Sequence, residues 1–555
     1  MRPRELDERE WMPAQRIGWS QAWADHESAD IAATIEFGLS VEIAGVSIRA
    51  ATAKLDTPAP DGTIRSWMPY LLEDFEFAES YDPNSGGGAG TRSLSLMLPS
   101  KMSNDDDTPV VIDVFGWIAG GLLAAGSAEL AVLFAGCPFV ERRVLLDGDV
   151  SGGVTFGGPG EPIEFGAEDP YQTASQFVTA GVIDDVSWST AADASKGQRY
   201  PLVWNTWSRV NCYEVNGQRY LACVDGRGID SASFTVYVDG AVKTTGNAQY
   251  GHSITLATDP RGVAYWSILF TGSVTLTDES VQIEVIASDG GKYLHELIEY
   301  LLTGYSGLGR RRIHFGLIGD IETLIGSVEV RMMVNGSGES STATSFELCE
   351  SRIANSFPML TFAFVDGRYG PIVTDGRASS TYDLTEGVTL LRRVSSVTES
   401  PKGELANRFV VRAGYSAATG TYTLVATRDE TTSILCNRSA AVIGVKDGEV
   451  VEADLIMTQA DAEMVVDWLA FHRSMPYYDV QFDVLPLVGV KLRLGRNVTL
   501  YVPSLGWSAG VKATIVGRSL RRGYATMTFR IWWANLAGAN VGGGATGYGG
   551  GGFAQ

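Results

Sequence analysis

The closing stretch Val490–Val502 (VKLRLGRNVTLYV), Leu505-Gly506-Trp507-Ser508, Ala513–Leu520 (ATIVGRSL) and Ala525–Ile531 (ATMTFRI) reads as three strands broken by one tight turn. Its residues are β-branched or aromatic and alternate apolar with polar, the pattern of a half-buried sheet. Similar short segments recur upstream, among them Val41–Ile48, Ser93–Leu98, Phe234–Val238, Val281–Ile286 and Thr421–Ala426. Between such segments stand Asp147-Gly148, Asp225-Gly226, Asp239-Gly240, Asn335-Gly336, Asp366-Gly367, Asp375-Gly376 and Asp447-Gly448. Pairs of this kind supply the positive φ that tight hairpins require. The chain is therefore expected to be mainly β.

Two stretches read as helix instead. Lys292–Thr303 (KYLHELIEYLLT) puts Leu294, Leu297, Ile298, Leu301 and Leu302 on one face, and Thr458–His472 (TQADAEMVVDWLAFH) does the same with Ala462, Val465, Val466, Leu469 and Ala470. Thr458 is placed to cap the second helix and Asp461 to meet the positive end of its dipole. Pro476 bars any continuation.

With 555 residues, 45% hydrophobic and 19% charged, the chain is a folded protein of several domains. Boundaries are expected at 1–30 (an N-terminal arm bearing Trp11, Trp19 and Trp23), 31–170 (a first β domain), 171–290 (a β middle domain), 291–380 (an α+β module), 381–535 (a second β domain) and 536–555 (a Gly-rich arm). No fixed-period repeat argues for a propeller or solenoid. The charged N-terminus lacks the apolar core of a secretory signal. Gly116–Gly136 has the length of a membrane span but holds Glu129 and five glycines, and is read as two buried segments joined by a Gly-Ser turn.

The 65 acidic residues outnumber 43 basic ones, for a formal charge of −22, so no global field attracts nucleic acid. The excess is uneven. From Ala470 onward the only acids are Asp479 and Asp483, against Arg473, Lys491, Arg493, Arg496, Lys512, Arg518, Arg521, Arg522 and Arg530. Two readings of these bases stay open: solvated strand faces, or docking to an acidic neighbour.

Residues that carry chemistry are sparse. Cys137, Cys212, Cys223, Cys349 and Cys436 form no CxxC pair, and His26, His252, His295, His314 and His472 form no HxH or HExxH. Asp105–Asp107 could attract calcium but lack the spaced ligands of an EF-hand loop. Glu164–Asp169 supplies carboxylates but no fixed separation of the kind a glycosidase needs. Arg310–Arg312 suits a phosphate or a salt-bridge strip between subunits. Trp204, Trp207, Tyr213, Tyr220 and Trp266 are either sugar-stacking faces or core aromatics. No catalytic, cofactor-binding or metal residue is assigned, and the chain is read as a non-enzyme.

Several of these segments resemble the baseplate hub proteins of long-tailed siphophages and gene transfer agents. The resemblance rests on Asn407–Tyr422 with its ATGTY turn, Asn437-Arg438-Ser439, Glu452–Met457, the helix Gln459–Ala470 ending in DWLA, Tyr478–Val484 and the closing strands with LGW and VGRS. Weaker likeness extends to Lys196–Trp204, Val236–Gly240 and Leu294–Leu302. It implies tail-tube-like β-barrels with inserted α+β modules, assembled as a homotrimer whose pseudo-sixfold ring lines the DNA ejection channel of a virion tail tip. The implied partners are the distal tail protein ring, the central fibre or spike, the tape measure protein and passing viral DNA, with the host envelope engaged only indirectly. An acidic wall suits a channel that must not trap a polyanion. Many such hubs carry a cysteine-bound iron–sulfur cluster; the dispersed cysteines here depart from that pattern. Two alternatives remain, a tail-associated wall or polysaccharide hydrolase and a saccharide-binding adhesin.

Overall fold

The computed structural model describes residues 35–540, apart from 44–45, 68–70, 72–74, 84–92, 99–100, 104–110, 114–125, 157–162, 171–177, 179–180, 225–228, 273–275, 277–279, 288–291, 336–341 and 392–395. The tryptophans of the N-terminal arm, Asp105–Asp107 and the glycine-rich tail from Val541 lie outside the described residues.

Alternating burial builds a mainly β, multidomain molecule. A first antiparallel sheet runs in the order Val46–Ala51, Glu36–Ile43, Ser127–Leu133, Arg143–Phe156, Ile163–Glu168, Ser93–Leu98. A closing sheet runs Tyr382–Thr385, Asn497–Val502, Trp507–Arg521, Ala525–Trp532, Tyr477–Val484, Ser396–Glu399. To this second sheet the early strand Glu76–Ser80 adds itself, pairing Gly517 with Ser80 and Arg521 with Glu76. One apolar core joins both sheets, from Phe37, Trp67 and Leu133 to Phe482, Ile515 and Phe529. The pairings leave each sheet an open path; among the described residues none closes into the barrel that the resemblance implied.

The middle of the chain stacks two sheets. One contains Leu202–Trp204, Tyr213–Asn216, Arg219–Val224, His252–Thr258, Ala264–Phe270 and Met332–Val334; the other contains Trp207–Asn211, Ile229–Val238, Ala241–Lys243 and Val281–Ala287. Val203, Trp207, Ala222, Ile268 and Ile283 fill the space between them. On the far side of the first of these sheets lies the second large core, shared with helices Leu294–Tyr305 and Phe315–Ile325 and with a three-stranded sheet (Arg408–Ser416, Thr421–Arg428, Asp447–Ala453) backed by helix Gln459–Arg473.

Both expected helices form, for the expected reasons. Leu294, Leu297, Ile298, Leu301 and Leu302 are fully buried, and Glu296 reaches back to the Lys292 and Tyr293 N–H groups at 2.9 and 3.0 Å. Burying each leucine contributes about 1.5–3 kcal/mol. Thr458 Oγ1 caps the second helix by accepting from the Asp461 N–H at 3.1 Å. The apolar stretch before Gly136 resolves at Ser127–Leu133 as a buried strand, with Glu129 bound by Arg142 at 2.5 and 2.8 Å. No helix among the described residues is long and apolar enough to cross a membrane.

Candidate functional site

Six arginines of the closing segment converge on carboxylates of this same chain, while Lys512 donates to the Arg377 carbonyl. Arg518, in the middle of a strand, has a side chain with no solvent exposure. Its Nε lies 2.5 Å from Glu79, its Nη2 2.6 Å from Asp366, and its Nη1 donates to the Leu492 carbonyl at 3.1 Å. Arg493 takes the other oxygen of Asp366 at 3.1 Å. Burial works to raise the Asp366 carboxyl, but Arg518 and Arg493 together hold it far below the usual carboxylate range. Nearby, Arg530 grips Asp479 in a two-pronged contact at 2.8 and 2.9 Å, reaches Asp82 at 2.8 Å and lies over the Tyr477 ring at 3.8 Å. Arg522 holds Glu36 at 2.8 Å, Arg521 holds Glu76 at 3.0 Å and Arg496 pairs with Asp320.

Of the two readings left open for these bases, an acidic neighbour is met within this same chain, in large part near its start. Sequence order hid this: Glu36, Glu76, Glu79 and Asp82 stand more than 400 residues before their partners. Arg311 and Arg312 likewise meet Asp147, whereas Arg310 lies over the Phe315 ring at 5.1 Å. Arg312 binds Asp147 at 3.0 Å within the chain, so for it the expected strip between subunits becomes an internal pair.

Two buried histidines edge this seam. His472 Nε2 accepts the Gly376 N–H at 3.0 Å, so the proton sits on Nδ1, 2.8 Å from the Trp468 carbonyl. His314 Nδ1 accepts the Leu317 N–H at 3.2 Å and caps the following helix. Burial depresses both rings from 6.5 to about 3. Both are therefore neutral in the fold and would gain a proton on unfolding below pH 6.5. Their stabilisation is complete above about 6.5 and is lost as pH falls toward about 3. The melting temperature is accordingly expected to drop between pH 7 and pH 4, less steeply in His472→Gln; an unchanged melting temperature over that range would contradict the assignment.

The other sequence candidates are scattered. Of the middle-domain aromatics, Trp204, Trp207, Tyr220 and Trp266 are core, so they offer no open stacking face, while Tyr213 is half-buried. Glu168 and the buried Asp169 flank the end of a strand. All five cysteines are free thiols, and burial pushes that of Cys137 up to about 12. Among the described residues no three His, Cys, Asp or Glu side chains converge as metal ligands.

A feature the sequence did not reveal is an open cleft of about 1100 Å³ where the middle sheets, the turn after Thr344 and the three-stranded sheet meet. Tyr415 and Tyr422 form one wall, with ring centroids 5.3 Å apart and planes tilted by 57°. The opposite wall is a π-helical turn, Leu348–Ile353, carrying Glu350, Ser351 and Arg352. Arg352 is fixed by Asp454 at 2.6 and 2.8 Å and by the Met333 carbonyl. Only the folded chain brings these residues together, because they come from segments 207, 333–335, 342–352, 415–422 and 454.

No protein family and no curated protein matches the chain. Among solved structures it is similar to the tail protein from Neisseria meningitidis MC58, at 9% identity and a TM-score of 0.36 over 89% of this chain and 96% of that one. The 43 kDa tail protein of prophage MuSo2 from Shewanella oneidensis gives 9% identity and a TM-score of 0.34 over 89% and 98%. Prophage tail protein gp18 from Listeria monocytogenes EGD-e gives 12% and 0.27 over 61% and 99%.

Proposed function

We propose that the chain is a structural component of a bacteriophage tail and serves as the hub of the tail tip. The observation that carries this reading is that the segments resembling hub proteins form consecutive, interlocking elements. The ATGTY turn is the tip of the hairpin Arg408–Ser416/Thr421–Arg428, with Gly420 at φ 68°. The helix ending in DWLA packs on that hairpin and leads into Tyr477–Val484, and the arginine of VGRS is the buried Arg518. The ion-paired seam supports the same reading, since it ties the first and last sheets into a unit suited to bearing load at a junction.

In this role three copies form a ring in the virion. It joins the distal tail ring to the central fibre, meets the tape measure protein and lets DNA pass without sequence-specific contact. Apart from Asp483, which accepts from the Thr526 hydroxyl, the acids outside the seam lie before residue 470 and are the candidates for the channel wall; no catalysis is assigned. Native mass spectrometry of the purified protein and the symmetry of a tail-tip reconstruction are expected to give three copies. A single copy in the assembled tip would overturn the hub assignment.

A further inference from the structure

We infer that the cleft between Tyr415, Tyr422 and the Leu348–Ile353 turn is a binding site for an uncharged oligosaccharide. Its size is the first argument: about 1100 Å³ exceeds the ~300–1,000 Å³ of pockets built for single small ligands, so a short oligomer fits better than one sugar. The wall chemistry is the second. Tyr415 and Tyr422 are half-buried, leaving ring surface open to the C–H face of a pyranose, while their hydroxyl groups remain polar partners. Met333, Ala343 and Leu348 add apolar surface beside them.

Charge narrows the ligand further. Among the described residues of the cleft lining, Glu347, Glu350 and Asp454 stand against one cation, Arg352, which Asp454 already pairs. The remaining negative field repels phosphate, sulfate and uronate groups. A carboxylate accepts hydrogen bonds and donates none, so such a lining suits a ligand that donates many, as sugar hydroxyls do. The backbone is the third argument. A π-helical turn is rare and is concentrated at functional sites, and here it forms the wall that presents Ser351 and Arg352. Of the middle-domain aromatics, Trp207 lines this cleft, but its side chain is buried in the middle core, so the stacking faces are those of Tyr415 and Tyr422.

The test is calorimetric titration of the full-length protein with uncharged tetrasaccharides of glucose, galactose, rhamnose and N-acetylglucosamine, alongside hexalysine and inorganic phosphate. At least one tetrasaccharide is expected to bind, and phosphate is not. Tyr422→Ala is expected to weaken that binding about tenfold, the size of one aromatic contact, with Tyr422→Phe close to the parent. Ser351→Arg, at an exposed position, should block the cleft while leaving the melting temperature unchanged. No binding by any tetrasaccharide at millimolar concentration would overturn the proposal, as would full binding by Tyr422→Ala or Ser351→Arg. Binding of hexalysine alone would overturn it too, and would assign the cleft to a basic peptide.

Discussion

Arg518→Met is expected to destabilise the protein by about 3–5 kcal/mol, because it strips the shared cation from the buried Glu79 and the partly buried Asp366. Glu79 is 6% exposed and Asp366 keeps Arg493, so the substitution falls hardest on Glu79, which loses the cation that lies 2.5 Å away beneath the strand Glu76–Ser80. Removing both members is a different matter. Arg518→Met combined with Glu79→Met replaces the pair with apolar volume and is expected to recover most of the loss, since burying an ion pair gains little over a packed apolar pair. A chain of this size unfolds in several steps, so the measurement is the first melting transition together with the rate of limited proteolysis. A single variant that melts with the parent would show that the seam adds nothing to stability.

Trp468→Ala should cost about as much, roughly 3–5 kcal/mol, by a different route. The indole is completely buried on the inner side of helix Gln459–Arg473 and stacks on His472 at 4.2 Å. Its Nε1–H donates to the Thr374 carbonyl at 2.6 Å. Deleting the side chain opens a cavity and orphans that carbonyl. Trp468→Phe keeps most of the volume and loses the hydrogen bond, so it should cost only about 1–3 kcal/mol. If the two variants melt alike, packing is not the source of the effect.

What the sequence disclosed and what it hid follow from range. Asp239-Gly240 and Asp366-Gly367 close two-residue hairpins as the dipeptides indicated, with Asp at φ 48° and 51° and Gly at 77° and 69°. Asp147-Gly148 looks the same on paper but lies inside the strand Arg143–Phe156. There a Cβ on Gly148 would sit 2.0 Å from the Glu168 carbonyl, so this glycine serves close approach and not turning. The two expected helices were legible because their apolar spacing is local. Helix Phe315–Ile325 escaped because its glycines break the stripe and its cap is a histidine ring. The seam and the cleft had no local signature at all. Each is assembled from residues tens to hundreds of positions apart, and an arginine in a strand reads as solvated until its acid is seen.

The pairing of Glu76–Ser80 with Trp507–Arg521 also sets a clock. Ser519 donates to Glu76 across 443 positions, so this edge of the closing sheet cannot form until its late partner strand has been made. At ~5–20 residues per second of synthesis, the early strand waits on the order of half a minute for its partner. During that interval its ladder groups toward Trp507–Arg521 and the acids Glu76, Glu79 and Glu36 lack their late-made arginines. Any chain that terminates early keeps that exposed edge, and so betrays itself before it can enter an assembly.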